Sequence, residues 1–338
     1  MNGTDITPTG ELPDPPELSV PGGELPYTPD LPRRFELLGA RLWLHARCVD
    51  CGRAAGHAED EPVVLASVVK VLLVLEFFRQ AAAGQLDPAE RAVVRAADRL
   101  GGTGTAGFHD DVELSLRDLA LMTMSVSDNT AADILFRRVG RDTVQSLARQ
   151  LGLERAQVTG APREVLESML EDLGAADADA FASAFAALPA EEVHRLRALD
   201  PARTTSATPR EMTRLLSLVW NDRAGAAAAC AGVRELMSLQ VNGARLGAAF
   251  DRFTTVAAKS GTLPGVRNEI GVVTYPDGAR YAIAVFTRTT SLSTRRPDLD
   301  TAIGGAGREV VEGLRGCCGR ADLSSPPGDR APTARQPP

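Results

Sequence analysis

The chain has 338 residues, 44% hydrophobic and 24% charged, enough to bury a real core in one large domain or two interleaved ones. A formal net charge of -7 at pH 7, with no basic cluster carrying interleaved aromatics, argues against a nucleic-acid binder. Aromatic residues make up only 4%, so the core has to be built from Leu, Val and Ala, which suits close-packed helices.

Residues 1–32 hold eight prolines, several acids and no basic residue. They lack the positive and apolar regions of a signal peptide and read as a disordered arm, so a cytoplasmic location is expected. Residues 40–48 then alternate Leu42, Leu44 and Ala46 with other residues, the pattern of a strand with one apolar face. A turn at 50–52 leads to a second strand over 53–58. His45 and His57 in these strands read as packing or surface residues. The five cysteines are an odd number; Cys48 and Cys51 have CxxC spacing and Cys317 and Cys318 are adjacent, but no second CxxC or close His pair follows. Reduced thiols are expected, with no metal and no cofactor.

The stretch Leu65-Ala66-Ser67-Val68-Val69-Lys70 runs into the apolar segment 71–78, which fits a buried helix and is too short and too charged to span a bilayer. Ser67 falls in its first turn and Lys70 three residues on, on the same face. A helix start favours negative charge, so an alkoxide or oxyanion forming at Ser67 is stabilised where it appears. Composition singles out the lysine. Of the 37 basic residues only Lys70 and Lys259 are lysines, leaving 35 arginines. Arginine cannot release its proton in a protein, whereas a desolvated lysine can act as a general base.

Farther along, Asp87 and Pro88 have the order of a helix cap and first turn. The glycine cluster 100–107 lacks the lysine that closes a phosphate loop and reads as a flexible connection. Residues 114–124 form a helix capped by Ser115 with Asp118 behind it, and Ser127-Asp128-Asn129 separates it from a helical pattern beginning at Thr130. Toward the other end, 255–262 begins as an apolar strand presenting Lys259-Ser260-Gly261-Thr262. Strands over 269–275 and 280–286 follow, joined through Asp277-Gly278 as a hairpin, and 303–314 closes as a helix. Strands at both ends with helices between predict one sheet completed by the N- and C-terminal parts.

Together, Ser67-Val68-Val69-Lys70, Ser127-Asp128-Asn129 and Lys259-Ser260-Gly261-Thr262 resemble the three signature motifs of the class A beta-lactamase and penicillin-binding-protein superfamily. They stand in the right order, and both lysine positions are filled by the chain's two lysines. The resemblance implies an α/β fold with a helical domain inserted in an α/β domain and an antiparallel sheet. Its implied limits are an arm at 1–32, an α/β domain at 33–66 and 212–316, a helical domain at 67–211 with an insertion around 171–199, and a disordered tail at 319–338. It also implies a serine hydrolase working through an acyl-enzyme. Ser67 is then the nucleophile, Lys70 its candidate base and Ser127 the relay toward the leaving nitrogen, while Asn129 orients Lys70 and a substrate amide. Lys259 supplies positive potential, the backbone N–H groups of Ser67 and Thr262 form the oxyanion hole, and Ser260, Gly261, Thr262 and Arg267 contribute to substrate binding. The expected partner is a small molecule bearing a carboxylate, for a monomer that binds neither nucleic acid nor membrane.

The chain departs from the class A pattern where that family carries a deacylating glutamate followed by an asparagine. Glu164 lies near the expected place, but its fourth-position partner is Ser168. Two readings stay open: Glu164 or Glu167 activates water, or both form the polar face of an ordinary helix after Pro162. The segment 171–199 reads as one or two added helices, over 180–188 and 190–199, near the cleft mouth. A DD-peptidase, esterase or acyltransferase acting on an intracellular metabolite, or a non-catalytic ligand-binding module, are the alternative functions.

Overall fold

The structure is a computed structural model and describes residues 30–321 apart from 177, 290, 292 and 294. In chain order, α1 (Leu31–Leu37) leads into the hairpin of β1 (Ala40–Cys48) and β2 (Ala54–His57), then β3 (Val63–Val64), a 3₁₀ turn (Ala66–Val69) and α2 (Lys70–Ala82). The short strands β4 (Arg91–Val94) and β5 (Val112–Ser115) pair with each other and precede α3 (Leu116–Ser125), α4 (Asn129–Val139) and α5 (Arg141–Gln150). Next come α6 (Pro162–Asp172), α7 (Ala178–Ala187) and α8 (Ala190–Val193), then β6 (Ser206–Ala207), which pairs with β3. The chain closes with α9 (Pro209–Trp220), α10 (Ala227–Ser238), α11 (Leu246–Ala249), the strands β7 (Thr255–Leu263), β8 (Val266–Thr274) and β9 (Arg280–Thr289), and α12 (Pro297–Ala321).

The main sheet is antiparallel with the order β2-β1-β9-β8-β7, so the N-terminal hairpin completes a sheet begun by the C-terminal strands. Both faces of β1 are covered, and its side chains sort by parity as a pleat requires. Leu42, Leu44 and Ala46 pack with Ile283, Val285, Ile303 and Val310 under α1 and α12. Trp43 packs on the other face with Phe286, Met212 and Leu216 in the core shared with the helices. α2 is buried along nearly its whole length, Val71 through Phe77, as an apolar run without a polar stripe has to be. His45 is 1% exposed, with Nδ1 2.5 Å from Thr213 Oγ1, a packing role.

Several elements differ from the sequence reading. No helix begins at Pro88: Asp87 Oδ1 accepts from Ala89 N at 2.8 Å and Glu90 N donates to Asp87 O at 3.0 Å, so the cap-like pair closes a turn that feeds β4. The arm expected over 1–32 lies outside the described residues up to 29, and its last two residues open α1, held by buried Leu31 and Phe35. The tail from 319 is described only to Ala321, inside α12. Around 171–199 the chain forms α7, α8 and a 3₁₀ turn (Arg197–Leu199) on a small core of their own, in which Met169, Val193, Leu196 and Leu199 meet Val266. Among the described residues Cys48, Cys51 and Cys230 form no disulfide, and no group of three or more potential metal ligands occurs. No helix among them is long and apolar enough to cross a membrane.

Candidate active site

The 3₁₀ turn Ala66–Val69 lies directly on β7, and a glycine makes that possible. A Cβ on Gly261 would stand 2.7 Å from Leu65 O and 3.2 Å from a methyl of Val68. Ser67 sits in this turn and α2 starts at Lys70, so the serine occupies a tighter coil than the α-helical turn its spacing predicts. Ala66 and Ser127 both have left-handed backbones, with φ of 50° and 60°, conformations that cost of order 1–3 kcal/mol and persist only where the surroundings hold them. Ser127 is held by its successor. Asp128, fully buried, caps α4 through Ala131 N at 3.0 Å and accepts from Thr105 N at 2.6 Å. The glycine connection is therefore tied to the second motif, and at Gly104, with φ of +86°, a Cβ would collide with Asp128.

The two lysines meet across Ser127. Lys70 Nζ donates to Ser127 O and to Asn129 Oδ1, each at 2.7 Å, and lies 3.3 Å from Ser127 Oγ. Lys259 Nζ donates to the same Oγ at 2.9 Å and to Ser260 O at 3.0 Å. Burial, then the neighbouring Lys259 charge, push Lys70 well below the ordinary lysine range, with Asp128 opposing. Burial and Arg245 bring Lys259 down to about 7 against the pull of Glu269. A neutral Lys70 has two N–H donors and one lone pair; the carbonyl and the amide oxygen use the donors, leaving the lone pair for a hydroxyl proton. Ser127 Oγ can then accept from Lys259 while donating to Lys70, a two-step path for a proton.

Ser67, Lys70, Asn129 and Thr262 line a cavity of about 170 Å³, with Thr204 and Thr205 adding hydroxyls; Ser127 and Lys259 stand behind this lining. Ser67 has no side-chain hydrogen bond among the described residues, and its N–H, at the start of a 3₁₀ turn, has no partner within that turn. Ser260 and Gly261 support β7 and do not line the cavity. Arg267 does not reach it either: its guanidinium forks onto Asp300, at 3.1 and 2.9 Å. The cation behind Thr262 is Arg245, which donates to Thr262 Oγ1 at 3.0 Å, to Asp300 at 2.8 Å and to the carbonyl of Asn268. Sequence reading missed Arg245, Thr204 and Thr205; an arginine five residues after Gln240 and two threonines before a helix carry no pattern of their own.

On the opposite wall α6 presents Pro162, Val165, Leu166 and Met169. Glu164 is not part of that wall. Its Oε2 accepts from Ala161 N at 2.6 Å as the third residue of the helix, and its side chain is 53% exposed beside Arg141. Glu167 is exposed too, and Ser168 Oγ donates back to Val165 O at 2.7 Å. The pitch of α6 is set from α4, where buried Asp133 takes Arg163 N at 3.2 Å and its guanidinium at 3.5 Å.

The family model described as the beta-lactamase enzyme family matches residues 35–314. A curated relative, the beta-lactamase regulatory protein BlaB of Streptomyces cacaoi, is 31% identical over 280 residues, 78% of this chain and 89% of that protein. Beta-lactamase L2 of Stenotrophomonas maltophilia is 35% identical over 105 residues, 30% of this chain and 34% of L2. Among solved structures, the beta-lactamase of Sphaerobacter thermophilus superposes with a TM-score of 0.68 at 24% identity, over 84% of this chain and 95% of that one. PBP-A superposes at 0.67 with 18% identity, over 89% and 99%. At these identities the superpositions speak for the fold. The family match runs from α1 through both halves of the sheet into α12, far beyond three short motifs, and the chain belongs to the beta-lactamase enzyme family, within the serine beta-lactamase and penicillin-binding-protein superfamily.

Proposed function

We propose that the cleft is a serine acylation site in which Ser67 attacks an amide, beta-lactam or ester carbonyl and deacylation is slow. The observation that carries this reading is the buried, neutral-leaning Lys70 one turn from Ser67 and joined through Ser127 to Lys259. Lys70 Nζ takes the Ser67 proton, directly or through Ser127. The Oγ–C bond forms, and the oxyanion lies against the N–H groups of Ser67 and Thr262. As the bond to the leaving nitrogen or oxygen breaks, Ser127 passes a proton to a leaving nitrogen and recovers one from Lys70. A substrate carboxylate is drawn to the side of Lys259 and Thr262, with Arg245 behind it in the place expected of Arg267. Hydrolysing the ester then needs a base beside it, and the α6 wall supplies none.

Intact-mass measurement after incubation with reactive beta-lactams and p-nitrophenyl esters tests this. The expected result is one adduct per chain, lost in Ser67→Ala; an adduct that survives the alanine change refutes the nucleophile. A DD-peptidase or esterase with little beta-lactam turnover is the second reading, favoured by the apolar α6 wall. The name of the Streptomyces cacaoi relative, a regulatory protein, suits a site that acylates without rapid turnover.

A further inference from the structure

The turn between β1 and β2 holds two thiols that the acylation chemistry does not use. Cys48 ends β1 and is 4% exposed, whereas Cys51 faces solvent. Gly52 N donates to Cys48 O at 3.0 Å, so the chain makes one helical turn and leaves it through Gly52, whose φ is 78°. Within that turn Cys48 is already bent toward its neighbour, its Sγ accepting from Cys51 N at 3.5 Å. We propose that Cys48 and Cys51 are a reversible dithiol–disulfide redox pair, in which Cys51 meets a small-molecule disulfide and Cys48 resolves the mixed disulfide.

Geometry and exposure both support the assignment. Residues three apart in a helical turn have Cβ atoms about 5–6 Å apart and a disulfide needs about 3.5–4.5 Å, so closure asks the turn to tighten by about 1–2 Å. The turn is held from outside while it does so: Val49 N donates to Arg280 O at 2.9 Å, Asn221 Nδ2 to Val49 O at 3.2 Å and Arg280 Nε to Asp50 Oδ1 at 3.1 Å. The difference in exposure sets the order of events. An external disulfide reaches Cys51, and the buried Cys48 sulfur reacts only within its own chain. Among the described residues no third metal ligand joins the pair, whereas a structural zinc site takes four. With glutathione disulfide as the oxidant, Cys51 Sγ attacks one sulfur as the thiolate and a glutathione thiolate leaves. Cys48 Sγ then attacks Cys51 Sγ, which forms the intrachain bond and releases the second glutathione. Two electrons pass from the protein to the glutathione pair, and the two thiol protons end on the two glutathiones.

Trypsin cleaves after Arg47 and Arg53, so both sulfurs fall in one peptide, residues 48–53, and mass spectrometry reads the pair directly. The folded full-length chain is equilibrated with glutathione disulfide at about 0.1 mM, tenfold below the roughly 1 mM effective concentration of a thiol on a short tether. It is then unfolded in an alkylating agent and digested. The native peptide is expected to be unalkylated, two hydrogens lighter than the dithiol, and returned to the dithiol by dithiothreitol. In Cys48→Ala, Cys51 is expected to carry one glutathione, a state at least about tenfold rarer in the native chain. In Cys51→Ser, Cys48 is expected to remain a thiol, as is Cys230, whose thiol burial pushes up. A native chain that gathers glutathione on Cys51 as readily as Cys48→Ala does, or that bonds Cys51 to a sulfur outside the peptide, overturns the pair. So does a native peptide that stays a dithiol.

Discussion

The β7 wall and the α6 wall of the cleft are built on opposite principles. On the β7 side Lys259, Ser127 and Lys70 are linked by polar contacts of 2.9 and 3.3 Å, Ser127 with a left-handed backbone and both lysines deeply buried, which the surrounding packing has to maintain. On the α6 side Glu164 and Glu167 are turned outward and the inward positions are apolar. The contrast separates two proton problems that a hydrolase has to solve. On the proposed acylation reading, taking a proton from Ser67 calls for a buried amine, and Lys70 is one; taking a proton from water at an acyl-enzyme calls for a second base, and the described α6 side chains that line the cavity include none.

Removing the base on the first wall should have the largest effect. Lys70→Arg keeps the charge but not the lone pair, and acylation by a fluorescent penicillin or a p-nitrophenyl ester is expected to fall by about a thousandfold, within the 10²- to 10⁴-fold range of general-base catalysis. Lys259→Arg should be milder; equal losses in stopped-flow acylation would show that Lys70 acts only as a charge. Putting a base on the second wall should narrow the contrast. Leu166→Glu is expected to raise the steady turnover of nitrocefin by about a hundredfold if a missing carboxylate is what limits deacylation. An unchanged steady rate with the acyl-enzyme still accumulating would locate the barrier elsewhere.

pH reads the same contrast through Lys259, which burial and Arg245 hold at about 7 in the folded chain against 10.5 when unfolded. Between those values the unfolded chain binds a proton that the folded one does not. Stability is therefore lower near neutrality and rises with pH through this window, by up to about 1.4 kcal/mol per pH unit for each such lysine. Lys70, lowered in the same direction, adds to the slope. Lys259→Met should remove its share of the rise in chemical denaturation measured between pH 7 and 10, whereas a slope unchanged by the substitution would mean that Lys259 stays protonated in the fold. Acylation by carboxylate-bearing substrates should move the other way, falling as pH rises through 7 and the cation is lost. The smallest effect belongs to Glu164→Gln, which should change the steady rate by less than about tenfold. A collapse beyond a hundredfold with acyl-enzyme accumulating would make Glu164 the deacylating base after all.

The two lysines of the candidate site were legible because the proposed chemistry excludes arginine, and in a chain of 35 arginines a lysine is conspicuous. The antiparallel sheet joined by both chain ends was legible from alternation and the Asp277-Gly278 turn. Which arginine backs Thr262 was not, since Arg245 and Arg267 share one distant acid, Asp300 on α12, and its placement is a tertiary fact. The short strand after Pro88 was misread for a related reason: Asp-Pro serves a turn as well as a helix start, and only pairing with β5 decides between them. Residues 164 and 167 were readable as a helix's polar face; that the other face would close the cavity was not.

The register that seats Ala40 opposite Thr289 also has a consequence in time. A ribosome delivers Ser67 and the helices long before it delivers β9, and β1 has no partner strand other than its own hairpin until then. Closing a loop of that length is slow, and β7, which carries Lys259, is hydrogen-bonded into the sheet through β8, which pairs in turn with β9. If Ser67 is the nucleophile proposed above, its reactivity should therefore arrive late in synthesis and all at once, with the serine inert for most of the chain's passage out of the ribosome.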